Sequence, residues 1–178
     1  MEYKLKGSLF FCKISQSIFG RIFYRIYSFT LNKLNRFLSL AKGSALFPYA
    51  DNLLLDVCTD IKYPQNIRMG SNVIIGGGSQ IGAMASIIIG DYVRLSRGVT
   101  IETATLDING SLPYKHKAQP IIIERGVWLG ANCTVLGGVT IGEGSVIGSG
   151  AIVTKSVPKN SIIVGARIRQ LDKIKPEL

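Results

Sequence analysis

The chain has 178 residues, a formal net charge of +10 and 47% hydrophobic residues, enough for one domain with appendages and a buried core. Its three cysteines, Cys12, Cys58 and Cys133, are odd in number, far apart and without metal-ligand spacing. They exclude a disulfide or zinc framework and point to a reducing cytoplasm.

Most of the charge lies at the start. Residues 1–50 hold eight Lys or Arg against one acid, Glu2, for +7, whereas the remainder holds thirteen basic and ten acidic residues, for +3. A cleavable signal peptide is not expected, because Leu9-Phe10-Phe11-Cys12 is cut short by Lys13. The segment from Leu9 to Leu40 reads as helical: Ile14, Ile18, Ile22 and Ile26 recur at four-residue steps beside Phe19 and Phe23, with Lys13, Arg21 and Arg25 among them. No uncharged stretch approaches the roughly 20 residues of a membrane span. Two readings stand: a helix or two packed against the rest of the fold or a neighbouring subunit, and a basic amphipathic element on an anionic membrane surface, peripheral to the inner face of the membrane. A nucleic-acid partner is not expected, since the basic residues form no recognisable binding motif.

Beyond residue 50 the chain runs on a period of six. It is clearest at Ile123, Leu129, Val135, Ile141, Ile147 and Val153, with a second series at Val127, Cys133, Val139, Ser145, Ala151 and Val157. Six fits neither the 3.6 of a helix nor the alternation of a sandwich strand, so similar short units must stack on one another. Each unit reads as a short strand plus a corner, and three units close a triangular coil of about eighteen residues. Cys133 falls at an inward small position, where a thiol behaves as a small hydrophobe.

Traced backwards, the register places Val57, Tyr63, Met69, Ile75 and Ile81 at the main inward position, and Ile61, Ile67, Val73, Ser79 and Ala85 at the smaller one. Two extra residues near Ile87 shift the phase, which resumes at Ile89, Leu95 and Ile101. The expected architecture is mainly β: a parallel β-helix of between four and five coils over residues 51–160, preceded by the helical segment 1–50 and followed by a tail over 161–178.

The longest break runs from Thr103 to Pro120 and contains the chain's single histidine, in Pro113-Tyr114-Lys115-His116-Lys117. A neutral imidazole can take a proton from a hydroxyl at pH 7, where Lys and Arg are normally already protonated. A solvated loop histidine between lysines is the competing reading. Other chemistry finds no support: one histidine cannot build a three-histidine metal site, and no G-x-S-x-G elbow is present. Gly76-Gly77-Gly78 lies inside the repeat and opens no helix, so it reads as a corner and not a phosphate loop. No metal is expected.

Three stretches besides the hexads, Gly126-Val127-Trp128-Leu129-Gly130-Ala131-Asn132, Gly137-Gly138-Val139-Thr140-Ile141-Gly142 and Ala151-Ile152-Val153-Thr154-Lys155-Ser156-Val157-Pro158, resemble the hexapeptide-repeat acyltransferases. The nearest branch is similar to the sugar O-acetyltransferases acting on galactosides, maltose and surface polysaccharides, and the likeness covers about residues 57–171. It implies a left-handed parallel β-helix, a homotrimer, and acetyl-CoA held in a groove between adjacent prisms. It also implies a histidine base on an acceptor hydroxyl, which attacks the thioester directly.

By that resemblance His116 is the base, Trp128 lies beside the pantetheine arm, the Ala131 N–H faces the thioester or oxyanion, and Ser149 is a further groove position. Thr154 and Lys155 match the pair near the CoA phosphates, and Gly165 and Arg169 match a terminal G-x-x-x-R whose arginine approaches the nucleotide phosphate. Asp107 and Glu102 are candidates for orienting the base or the acceptor. Two departures stand out: the galactoside-type T-H-P element here reads Thr105-Leu106-Asp107, and the proline of G-x-P-x-R is Arg167. The function expected is acetyl-CoA-dependent acetylation of a sugar hydroxyl, of a surface polysaccharide or its precursor. The alternatives are acetylation of an amino sugar or small molecule, and a non-catalytic β-helix scaffold.

Overall fold

The structure, a computed structural model, describes residues 18–165. One helix, α1 (Ile18–Leu46), leads into a solenoid of short parallel strands. Its first coil is β1 (Leu54–Leu55), β2 (Asp60–Lys62) and β3 (Ile67–Met69). The second is β4 (Ile74–Ile75), β5 (Gln80–Gly82) and β6 (Ile87–Ile89). In the third coil, β7 (Arg94–Leu95) and β8 (Thr100–Glu102) are followed by a protruding hairpin, β9 (Ala104–Leu106) and β10 (His116–Ala118), before β11 (Ile121–Ile123) closes the turn. The fourth and fifth coils use β12 (Trp128–Leu129), β13 (Thr134–Leu136), β14 (Thr140–Ile141), β15 (Val146–Ile147) and β16 (Ile152–Val153). A bridge from Ile141 to Val157 completes the fifth, and β17 (Ile162–Ile163) begins a sixth.

The strands stack into three faces. Face 1 is β1-β4-β7-β12-β15-β17, face 2 is β2-β5-β8-β13-β16, and face 3 is β3-β6-β11-β14. Pairing is parallel and in step, as in Leu55 with Ile75, Ile75 with Leu95, and Leu129 with Ile147. A strand of two or three residues cannot hold itself together. Each survives because its backbone groups bond to the coils on either side, for instance Arg94 N to Val127 O at 2.9 Å and Trp128 N to Ser145 O at 3.0 Å. Inside the prism, Leu55, Ile75, Leu95, Leu129 and Ile147 form one fully buried ladder. Each such side chain contributes about 1.5–3 kcal/mol by leaving water. Buried serines interrupt the apolar ladders without penalty: Ser79 Oγ donates to Gly76 O at 2.7 Å, and Ser145 Oγ to Pro158 O at 2.8 Å.

The expected β-helix is present, with four corrections. The solenoid has five full coils and part of a sixth, more than the four to five that the sequence suggests. The inward residues of the first coil are Leu55 and, partly, Ile61; Tyr63 is half exposed at a corner with φ 59°, and Val57 is only partly buried. The cause is an insertion, the 3-10 turn Pro64–Asn66, which adds two residues between Ile61 and Met69 and throws a count of six out of phase. Ile61, read as a smaller position, instead stacks on Ile81 as a main one, Ile67 keeps the smaller position assigned to it, and a separate enlargement at 83–86 puts Ile87 in the place assigned to Ala85. The tail expected from residue 161 begins as β17, so the solenoid runs past residue 160. Finally, α1 continues to Leu46, six residues beyond Leu40, while the stretch 9–17 lies outside the described residues.

The last turns of α1 close the open end of the prism. Gly43 lies where a Cβ would touch Leu53 at 3.6 Å, and Ser39 is buried beside it. Lys42 Nζ donates to the carbonyls of Val57 and Thr59. Phe47 is buried, and Tyr49 Oη donates to Ile67 O at 2.8 Å.

Candidate active site

Two regions of the prism collect the residues singled out by sequence. The first is the corner from face 1 to face 2, built from three residues in every coil: 76–78, 96–98, 130–132 and 148–150. In each the last residue has positive φ, at Gly78 (73°), Gly98 (69°), Asn132 (56°) and Gly150 (70°). The middle residue hands its carbonyl to the next coil, as in Gly150 N to Ala131 O at 2.9 Å and Asn132 N to Arg97 O at 3.0 Å. Its own N–H donates no hydrogen bond among the described residues. Ala131 and Ser149 are such middle residues in consecutive coils, so two free amides sit one above the other. The approach is tight enough that a Cβ on Gly130 would stand 2.6 Å from Ser149 N. An unpaired N–H in this setting is available to a carbonyl or an oxyanion.

Trp128 lies just before that corner, on the outer side of face 1, and is half exposed. Its indole Nε1–H donates to Ser96 Oγ at 3.0 Å, which sets the ring across one edge of a depression of about 370 Å³ lined by Ile74, Arg94, Leu95, Ser96 and Trp128. Ser96 and Arg94 went unread in the sequence. They occupy, one coil below, the positions of Gly130 and Trp128, but the break at 103–120 hides that equivalence from a count along the chain.

The second region is the corner from face 2 to face 3, whose length varies. In the third coil it is the hairpin β9–β10, antiparallel with His116 opposite Leu106, Lys117 opposite Thr105 and Ala118 opposite Ala104. Its root is held firmly. Thr103 is buried, its Oγ1 donating to Gly82 O at 2.9 Å and accepting from Ala85 N at 3.1 Å, and Gln119 N donates to Thr103 O at 3.0 Å. The next coil leaves room for that root: Gly137 passes so close that a Cβ would lie 2.7 Å from Thr103 O, and Gly138 has φ 84°. His116 is exposed and its ring makes no hydrogen bond among the described residues.

The two carboxylates are engaged elsewhere. Glu102 Oε1 accepts from Ala104 N at 2.9 Å, filling space that the absent side chain of Gly82 leaves, and Asp107 Oδ1 lies 3.4 Å from Lys117 Nζ. Neither orients the imidazole within the chain. Thr154 and Lys155 lie at this same second corner, two coils beyond the hairpin. Gly165 is the last described residue, and Arg169 falls outside the described residues.

The fold therefore brings Trp128, Ala131 and Ser149 together at one corner. It brings His116, Asp107, Glu102, Thr154 and Lys155 to another. The grouping is made by the prism, not by proximity in sequence.

Two family models match the chain, "Bacterial transferase hexapeptide (six repeats)" over residues 120–155 and "Hexapeptide repeat of succinyl-transferase" over residues 66–103. The first span runs from the third coil into the fifth, where the register of six is unbroken; the second runs from the end of the first coil to the third and contains the two-residue shift before Ile87. In both spans the chain is similar to hexapeptide-repeat proteins. Among the proteins it resembles is a galactoside O-acetyltransferase of Lactococcus lactis subsp. lactis, 38% identical over 104 residues, which are 57% of this chain and 50% of that one. A solved hexapeptide-repeat acetyltransferase of Vibrio cholerae O1 biovar eltor, complexed with acetyl coenzyme A, superposes with a TM-score of 0.67 at 27% identity over 76% of each chain. A maltose O-acetyltransferase of Clostridium difficile 630 gives a TM-score of 0.56 at 32% identity, covering 66% of this chain and 64% of that one. The chain spans between 50% and 65% of the length of the curated relatives it matches. Among the described residues no group of His, Cys, Asp and Glu could hold a metal ion.

Proposed function

We propose that this chain is an acetyl-CoA-dependent O-acetyltransferase acting on a sugar hydroxyl, of a surface polysaccharide or its precursor, and working as a homotrimer. The observation that carries the reading is the register of the hairpin. The galactoside-type enzymes have their histidine in T-H-P, and here the matching position is Leu106. His116 is the direct cross-strand partner of Leu106, and directly paired residues share one face of a two-stranded ribbon. That pairing supports a reading in which the imidazole would serve the family position from the opposite strand.

Its part would be that of a general base. An imidazole with no hydrogen-bond partner among the described residues would accept the proton of an acceptor hydroxyl as that oxygen attacks the acetyl carbon, and would return it to the CoA thiolate when the carbon–sulfur bond breaks. The Ala131 N–H would take up negative charge on the thioester oxygen, and Ser149 N–H and the Trp128 ring would hold the pantetheine arm. Thr154, Lys155 and Arg169 would meet the phosphates. Asp107 and Glu102 border the hairpin and would contact the acceptor.

Because the base and the free amides occupy different corners of one prism, a second prism laid alongside would bring one chain's hairpin to the other's first corner. That arrangement favours an assembly of three equivalent clefts over a lone chain. A partner that works on polysaccharide precursors would act in the cytoplasm, at the inner face of the membrane.

The test is thiol release from acetyl-CoA by the full chain over a panel of sugars, with wild type and His116→Ala side by side. Sugar-dependent release that disappears in the variant is the expected result. Bound CoA with unchanged turnover in the variant would put the base elsewhere. Acetylation confined to amino sugars would move the acceptor atom from oxygen to nitrogen, and an absence of CoA binding would leave a scaffold.

A further inference from the structure

Helix α1 docks on the prism with the wrong face for an ordinary core helix. Toward face 1 and the first coil it turns Asn35, Arg36, Ser39, Lys42 and Gly43, polar or small, and only Leu40 and Leu46 among its apolar residues. At 3.6 residues per turn, Phe19, Phe23, Ile26, Leu34 and Phe37 lie on the other side, and they are 51% to 85% exposed. The apolar arc is broader than a coiled-coil seam, because Tyr27, Leu31 and Leu38 extend it. Thr30 does not interrupt it, since its Oγ1 is turned back onto Tyr27 O at 2.8 Å.

The charge on this helix has one sign. Arg21, Arg25, Lys33, Arg36 and Lys42 are its charged residues, and no acid occurs anywhere from residue 3 to residue 50. A second copy of α1 would set five positive charges against five. The remainder of the chain, thirteen basic to ten acidic residues, carries no net negative charge to offset them. No helix among the described residues is long and apolar enough to cross a membrane. The side of α1 opposite this exposed apolar arc carries charge of one sign only, at Arg21, Arg25 and Arg36, a distribution complementary to anionic headgroups above an apolar layer.

We infer that α1 is a peripheral membrane element: its outer face lies in the interface of an anionic bilayer, while its inner face holds the solenoid through Ser39 and Gly43. Arg21, Arg25 and Lys33 reach the headgroups along their methylene stems, whereas Lys42 is held by the Val57 and Thr59 carbonyls; Lys33 Nζ lies over the Phe29 ring, 4.6 Å from its centroid. The inference stands apart from the acetyltransfer reading, because it needs neither His116 nor the first corner.

Flotation of the full chain with vesicles tests it directly. Vesicles of phosphatidylcholine mixed with phosphatidylglycerol should capture the protein at least about tenfold better than pure phosphatidylcholine, and raised salt should release it. Phe19→Ser with Phe23→Ser, and separately Arg21→Glu with Arg25→Glu, should each abolish capture while leaving the melting curve of the solenoid unchanged. No capture of the wild type, equal capture by neutral vesicles, or capture retained by both variants would overturn the inference. So would a wild type that ignores vesicles and whose oligomer falls apart on Phe19→Ser with Phe23→Ser, for then a second copy covers the helix. Turnover of a soluble acceptor should persist in both variants, so a failed flotation and a failed acetyltransfer assay are distinguishable.

Discussion

Two corners of the same prism follow opposite rules. The corner between faces 1 and 2 has three residues in each coil, a residue in the left-handed region from the second coil onward, and a middle amide without an acceptor. The corner between faces 2 and 3 holds the two extra residues at 64–66, a second enlargement at 83–86, the hairpin of 103–120, and then the short turn at Gly137-Gly138. The first is set by stacking, since any added residue would break the chain of carbonyl-to-amide bonds between coils. The second sits where the chain can loop outward without disturbing the ladder.

The sharpest way to separate the corners is catalytic. His116→Ala should lower sugar-dependent turnover by about 10²–10⁴-fold, with no change in thermal midpoint, because removing a positioned base costs that much and an exposed side chain contributes little to folding. Equal loss of stability and activity would show that the hairpin root, not the imidazole, was damaged.

At the fixed corner the effect should be structural first. Gly130→Ala puts a Cβ 2.6 Å from Ser149 N and 2.7 Å from Ile147 O, both backbone atoms of the next coil. Overpacking of this kind costs about 1–3 kcal/mol, so differential scanning calorimetry should show the midpoint lowered by several degrees, together with weaker CoA binding.

Replacing the hairpin tip, residues 108–114, by an Asn-Gly turn should do the reverse. Loop length enters closure entropy only logarithmically, so the midpoint should hardly move, while the acceptor KM should rise severalfold if the tip touches the sugar.

The smallest effect tests the interior behind the fixed corner. Burial pushes the Cys133 thiol from 9.0 up to about 11, opposed by a backbone hydrogen bond at the same residue. Below pH 9.0 the thiol is neutral in both folded and unfolded chains, so its contribution is fully present. As pH rises toward about 11 the unfolded chain ionises first, and stability is lost. Denaturant melts across that window should therefore fall more steeply for wild type than for Cys133→Ala. Iodoacetamide should modify the exposed Cys58 in the native protein and leave Cys133 untouched.

The period of six was legible because it is enforced by geometry. From Ile123 to Val157 every residue read as inward is buried, Cys133 and Ser145 included. The reading failed in the first coil, where Val57 and Tyr63 look as apolar as Leu55 and Ile61, and only the 3-10 turn at Pro64 distinguishes the two phases. Of the candidate site residues, the equivalence of Ala131 and Ser149 in consecutive coils was readable, since they stand eighteen residues apart in an unbroken register, with Trp128 in the same coil as Ala131. The hairpin was not: nothing in Thr103 to Pro120 reveals that residues 106 and 116 face each other. Nor could spacing show that Ser96 would bond to the Trp128 indole thirty-two residues away.

From the linear chain alone come the stacked solenoid, the inward ladders and the corners, because each follows from short-range repetition and the burial of aliphatic side chains. The tertiary structure decided the pairing of His116 with Leu106, the separation of His116 and the free amides onto two corners, and the face with which α1 meets the prism. These depend on contacts between residues far apart in sequence, which are settled by how coils stack and loops close, and no local pattern encodes them.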